Sequence, residues 1–364
     1  MIARFRRKAH FPPREPARAV AQLYTRALVP GFLFAVAGAT ADVPTGAIDR
    51  SVQFDRYSPL SSSGELLRRL MTPLTALRIE RALAQSGRAA QEQAVDLARE
   101  KFAVYVPTQQ PAAGYGVLVF VPPWEDAVVP PQWTAALDRH GIIFVSAANS
   151  GNAANVLDRR EPLALLAAYN VMQRYRVDAA HVYVGGFSGG SRVALRLALG
   201  YPDVFRGALL EAGSDPIGTA QVPLPPADLF SEFENRSRIV FLTGRNDREH
   251  IDQDERTRRS LEASCVLDSA IEPMPWTGHE TADPAAIDRA LGALTTPVVH
   301  DAIKLDACRK RLEDELAEHA REVEALVTAG KRDGARDALE KLDARFGGLA
   351  AAESNSLANK IQAR

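Results

Sequence analysis

Cysteine is scarce: Cys265 and Cys308 are the only two in 364 residues. No histidine or further cysteine stands at ligand spacing from either, so no structural zinc pattern is present. Two cysteines admit one disulfide in an oxidising compartment, tying the region of the last strand to the C-terminal helices, or else two buried thiols. Phosphate-binding glycine loops are also missing. The glycines at 185–190 lack Gly-x-Gly-x-x-Gly spacing, and no Gly-Lys-Ser/Thr follows them, which disfavours nucleotide binding. The apolar run at 28–41 is too short to span a bilayer comfortably as a helix. Charge of one sign is lacking as well, with 44 Lys+Arg against 45 Asp+Glu.

The N-terminus reads as an address. Arg4, Arg6, Arg7 and Lys8 precede the apolar run, and Ala39-Thr40-Ala41 fits a small-residue cleavage site. Residues 1–41 are therefore expected to be a signal peptide, and the mature chain to be secreted or periplasmic without a membrane span. An uncleaved anchor is the alternative; no cysteine follows the run to carry a lipid. Residues 1–41 hold seven of the Lys+Arg and one of the Asp+Glu, so their removal leaves a net charge of −7. Such a surface argues against nucleic acid and anionic membranes as partners.

The strongest positive signal is Val182-Tyr183-Val184-Gly185-Gly186-Phe187-Ser188-Gly189-Gly190, followed by helix-forming residues to Leu199. A strand stopping at Gly-x-Ser-x-Gly and leading into a helix is the context of a nucleophile elbow. The turn places serine in a strained backbone conformation, and side chains two residues to either side would collide with strand and helix. It also leaves the Gly189 amide free to face a developing oxyanion.

A serine hydroxyl needs a base to take its proton, and the base needs an orienting acid. Both follow in the required order. Arg238-Ile239-Val240-Phe241-Leu242-Thr243-Gly244 reads as a buried strand with Asp247 just beyond it; Asp252 and Asp254 are rival acids. An extended run at 266–274 ends in Pro275-Trp276-Thr277-Gly278-His279, ahead of a helix at 284–294. His279 is the expected base. His250 shares a loop with the acid and so is unlikely to act as its opposite partner, while His140, His181 and His319 read as structural.

These stretches, with Tyr201-Pro202-Asp203-Val204-Phe205-Arg206-Gly207, carry a resemblance. Over residues 101–294 the chain resembles the α/β-hydrolase superfamily, in particular secreted bacterial esterases of the poly(3-hydroxybutyrate) depolymerase and feruloyl esterase group. The resemblance implies Ser188 as nucleophile, Asp247 as acid and His279 as base, an ester-containing small molecule or polymer as substrate, and no cofactor. The chain departs from that pattern after the strand at 117–121. Family members usually carry His-Gly there, and its loop donates the second oxyanion amide. Here Pro122 and Pro123 have no amide hydrogen, so Trp124 is the first residue able to donate, and Gly189 the sole donor if it does not reach. The Trp124 ring would also wall the acyl pocket.

The expected fold is α/β: a doubly wound, mostly parallel sheet with an N-terminal helical segment and a C-terminal helical hairpin. Residues 42–100 read as a linker and N-terminal helices at about 61–86 and 89–97. Residues 101–297 form the catalytic domain, and 298–364 the hairpin. Asn149 and Asn152, in the loop after the strand at 141–146, are candidate substrate contacts, as are Phe187 and Trp276; turn chemistry explains the asparagines equally well. The Pro-rich stretch at 214–226 is too short for a lid, which leaves the mouth open with Pro223, Leu224, Pro225, Pro226 and Trp276 as its rim. Leu305, Cys308, Leu312, Leu316, His319, Val323 and Leu326 stripe one face of a long helix. That face must be covered by the catalytic domain or by a second subunit through self-association. Two other functions compete: a serine peptidase of prolyl-oligopeptidase type, for which no gating domain is present, and an inactive hydrolase-fold binding module.

Overall fold

Runs of β-branched and aromatic residues become strands wherever glycine or proline bounds them. In a computed structural model, which describes residues 43–88, 91–299 and 301–363, eight strands form one sheet. They are β1 (Ile48–Val52), β2 (Phe102–Tyr105), β3 (Tyr115–Val121), β4 (Ile142–Ala147), β5 (Val177–Phe187), β6 (Gly207–Glu211), β7 (Arg238–Leu242) and β8 (Ser269–Ile271). The order across the sheet is β1-β2-β4-β3-β5-β6-β7-β8. β2 runs antiparallel to both β1 and β4, and the remaining pairs are parallel.

A parallel sheet needs a helix on each crossover, so both faces are buried. Along β3, Val117, Val119 and Val121 join one apolar layer while Leu118 and Phe120 join the other. The first layer is covered by α4 (Glu161–Arg174), α5 (Gly189–Gly200) and α6 (Ala227–Arg236). The second is covered by α3 (Thr134–His140) and α8 (Pro284–Thr295). Ile287 and Leu291 on α8 are fully buried, each contributing about 1.5–3 kcal/mol by leaving water. The parallel strands end on one edge, which gathers the loops after β3, β4, β5 and β7.

The N-terminal region differs from expectation in three ways. The segment read as a linker supplies β1, and Val43, Val52 and Phe54 are buried in the core. The helix expected over 61–86 is two, α1 (Ser63–Leu70) and α2 (Pro73–Gln85). Thr72 precedes Pro73, and a residue before proline is pushed out of the helical region; Thr72 instead caps α2 by accepting from the Thr75 amide. No helix forms across 91–97; a single 3₁₀ turn at Leu97–Arg99 stands there, and Ala89 and Ala90 lie outside the described residues. The proposed signal peptide also lies outside them. No helix among the described residues is long and apolar enough to cross a membrane.

At the C-terminus the expected hairpin, α9 (Ala302–Thr328) and α10 (Arg332–Phe346), is extended by a third helix, α11 (Ala351–Ala363). Leu305, Leu312, Val323, Leu339, Leu342 and Phe346 are all buried in the same apolar layer as α4 and α5. The stripe is thus covered within the chain. The turn between α10 and α11 meets the Pro-rich stretch: the Gly348 amide donates to the Leu224 carbonyl at 2.7 Å. A side chain on Gly348 would stand 2.5 Å from the Pro225 backbone, so glycine is what lets the two main chains touch. Pro223, Leu224 and Pro225 are therefore buried under the C-terminal helices and do not rim a mouth.

Candidate active site

The turn after β5 has the strain its sequence requires. Ser188 sits at φ 55°, ψ −120°, a conformation costing about 1–3 kcal/mol for a non-glycine residue. Its amide donates to the Glu211 carbonyl on neighbouring β6 at 2.8 Å. A side chain at Gly186 would run into the Gly190 backbone, and one at Gly190 into the Val121 carbonyl. Helix α5 can thus start immediately against β3 and hold Ser188 above the sheet edge.

Two further loops converge on it. His279 Nε2 lies 3.1 Å from Ser188 Oγ, and His279 Nδ1 lies 2.7 Å from Asp247 Oδ2. Asp247 occupies the position preceding α7 (Arg248–Ala263), where an aspartate ordinarily caps the helix. Its side chain makes no capping bond; both carboxylate oxygens face imidazoles. The rivals are elsewhere: Asp252 is exposed, and buried Asp254 accepts from Ser214 and Thr243 at 2.6 and 2.5 Å.

The second imidazole belongs to His250. Its Nδ1 lies 2.7 Å from Asp247 Oδ1, and its ring stacks on His279 with centroids 4.3 Å apart. His250 is not the opposite partner of the acid across the base but a second donor to the same carboxylate. Its sequence signal is the i, i+3 spacing from Asp247 into the first turn of a helix. Burial acts to raise the Asp247 pKa, but the hydrogen bonds from His250 and His279 outweigh it and hold the carboxyl below its ordinary range. Asp247, His250 and His279 each offer a ligand atom within 4.8 Å of the others, so among the described residues this trio is the set that could hold a metal ion. Both Nδ1 atoms are already used on the carboxylate.

The other expected site residues divide. Phe187 lies 4.8 Å from His279 between centroids, and Trp124 lies 6.2 Å beyond Phe187, so these rings form a row that ends on His279. The Trp124 indole nitrogen is buried with no acceptor among the described residues. Trp276 stands away from that row: it is 92% exposed and held at φ 72°. Asn149, at φ 51°, serves its turn; its amide donates to the Glu125 carbonyl and its carbonyl accepts from Arg159 Nε, both at 2.6 Å. Asn152 lies directly against Gly189.

Sequence reading missed two groups besides His250. Arg160, buried, donates to the Pro122 and Ser150 carbonyls at 2.9 Å each and so joins the loops after β3 and β4. Glu211, at the end of β6, is fully buried with neither carboxyl oxygen in a hydrogen bond of good geometry. Burial pushes its pKa up to about 8, opposed by the facing Ala282 amide. Neither residue sits in a motif; a glutamate ending an apolar strand is the nearest thing to a signal.

Strand order, a serine elbow after β5 and converging loops after β7 and β8 define an α/β-hydrolase fold. No protein-family model matches it. A stretch of 54 residues is 48% identical to "Putative esterase NocK" of Nocardia uniformis subsp. tsuyamanensis, covering 15% of this chain and 14% of that protein. Among solved structures, S-formylglutathione hydrolase FrmB from Staphylococcus aureus aligns with a TM-score of 0.44 at 13% identity over 54% of this chain and 93% of its own. A Pyrobaculum calidifontis esterase aligns with a TM-score of 0.40 at 13% identity, over 54% and 80%.

Proposed function

We propose that this chain is an exported serine hydrolase that cleaves carboxylic esters through an acyl-enzyme. The observation that carries the reading is one geometry: a serine, a histidine and an aspartate from three separate loops lie in hydrogen-bonding sequence at 3.1 and 2.7 Å. Ser188 Oγ attacks the ester carbonyl while His279 Nε2 takes its proton. Asp247 keeps the imidazole in the right tautomer and stabilises its charged form. The Gly189 amide holds the tetrahedral oxyanion. His279 then protonates the leaving alcohol, and water, deprotonated by His279 in turn, releases the acid. The reading calls for no metal or organic cofactor. Export accords with the N-terminal pattern and with a disulfide between Cys265 and Cys308.

Labelling with a fluorophosphonate probe tests the core of this. The purified chain should label, Ser188→Ala and His279→Ala should not, and p-nitrophenyl ester hydrolysis should fall at least about 10³-fold in both. An unlabelled parent would replace the enzyme with the binding-module reading; labelling of Ser188→Ala would move the nucleophile elsewhere.

A further inference from the structure

We propose that the side-chain carboxamide of Asn152 is a catalytic oxyanion donor, supplying the bond that the two prolines after β3 cannot. The inference rests on the ester-hydrolase reading above. Pro122 and Pro123 follow β3 directly and carry no amide hydrogen. The main chain of Pro123 faces the neighbouring loop through its carbonyl, which accepts from the Asn152 amide at 3.0 Å.

The position of the Asn152 side chain is the second observation. A Cβ built on Gly189 would collide with Asn152 Oδ1 and stand 2.9 Å from Cγ and 3.1 Å from Nδ2. The carboxamide therefore fills the space that a side chain on the residue after the nucleophile would take. That space borders the Gly189 amide, the group on which the oxyanion must form. Among the described residues the Asn152 side chain holds no hydrogen-bond partner, so its donors are free for a ligand. Rotating the amide by half a turn exchanges its oxygen and nitrogen without changing its volume.

The third observation is preorganisation. Three hydrogen bonds lock the loop after β4 to the loop after β3: Asn149 amide to Glu125 carbonyl, Asn152 amide to Pro123 carbonyl, and Arg160 to the Pro122 carbonyl; Arg160 also donates to the Ser150 carbonyl within the loop after β4. Gly151 allows this approach, since a side chain there would meet the Glu125 carboxylate and the Trp124 backbone. The main chain that carries the Asn152 donor is thus fixed before reaction, and losing one side-chain oxyanion donor costs about 10²–10³-fold in kcat.

The test is kinetics on a p-nitrophenyl ester, together with inhibition by a trifluoromethyl ketone, whose adduct on Ser188 carries the same oxyanion. Asn152→Ala and the near-isosteric Asn152→Asp should each lose about 10²–10³-fold in kcat with little change in KM. Inhibition constants should rise in parallel, and melting temperatures should stay near the parent's because the side chain is exposed. Gly189→Ala, which displaces the carboxamide, should cost a similar factor in the parent but little more in the Asn152→Ala background. An active parent with Asn152→Ala within threefold of it would overturn the proposal and return the role to the Trp124 amide. Rescue by Asn152→Asp would also overturn it, since a purely structural side chain keeps its shape there. A parent that neither labels nor turns over fails earlier, at the ester-hydrolase reading, and takes this proposal with it.

Discussion

At the residue scale the site is organised around one carboxylate. Asp247 stands where the chain would ordinarily spend an aspartate on capping α7, yet it faces two imidazoles at 2.7 Å each. His250 both donates to Oδ1 and stacks on His279, so its loss leaves a buried acceptor without a donor and the His279 ring without one wall. An unsatisfied buried group costs about 1–3 kcal/mol, equivalent to about 10–100-fold if the acid swings away from His279. His250→Ala should therefore lower kcat by about that factor, with His250→Asn, which keeps a donor, recovering part of it. The pH profile distinguishes positioning from mere packing. His250 is one of the groups lowering the Asp247 pKa, so removing it should move the acid-side loss of activity to higher pH. The groups facing that carboxylate are His250 and His279, with Asp254 close by. A profile identical to the parent's would reduce His250 to a space filler.

At the element scale, strand ends decide more than strand interiors. The end of β6 is an instance: Glu211 offers its main chain to Ser188 and its carboxyl to the underside of the His279 loop. There the Ala282 amide faces it and the Ala282 carbonyl accepts from the Trp133 indole at 2.8 Å. Its pKa, raised from 4.5 to about 8, makes a stability prediction. Below about pH 4.5 the group is protonated in both folded and unfolded chains. Between there and about pH 8 the unfolded chain alone gives up its proton, so folding stability falls as pH rises and levels off above. Glu211→Gln removes the ionisable group. Its melting temperature should gain on the parent's from about pH 4.5 to about pH 8 and then hold its lead; a difference independent of pH would show that the carboxyl is already ionised in the fold.

At the scale of the whole molecule, the C-terminal helices share the apolar layer that covers one face of the sheet. Gly347 and Gly348 seat them on the buried Pro-rich stretch, and the Cys265–Cys308 bridge fastens α9 to the end of α7. Helix α7 begins beside Asp247 and runs 16 residues before Cys265, about 24 Å at the usual rise. The bridge thus lies at the far end of that helix from the acid. It spans 43 residues of sequence, for which removal typically costs about 2–4 kcal/mol. Cys265→Ser with Cys308→Ser should lower the chemical-denaturation free energy by that amount while leaving kcat unchanged below the melting range. A loss of kcat equal to that of the triad variants would instead couple the C-terminal helices to the site.

The elbow, the strand periods and the order serine, aspartate, histidine were legible in the sequence because each depends on neighbours in the chain. Gly186 and Gly190 answer to Ser188 two residues away, and buried parallel strands announce themselves as unbroken apolar runs. Other features depend on residues brought together from afar. Residues 48–52 become a strand because the β2 edge is free to pair with them. The Pro-rich stretch and Gly347–Gly348 are buried by each other across more than 120 positions. His250 reads as a rival base until the fold turns both imidazoles onto one carboxylate, and Asn152 as a turn residue until two loops close over Gly189. Local sterics and periodicity are written along the chain, whereas the partner of a polar side chain is a property of the space around it, and only the tertiary structure fills that space.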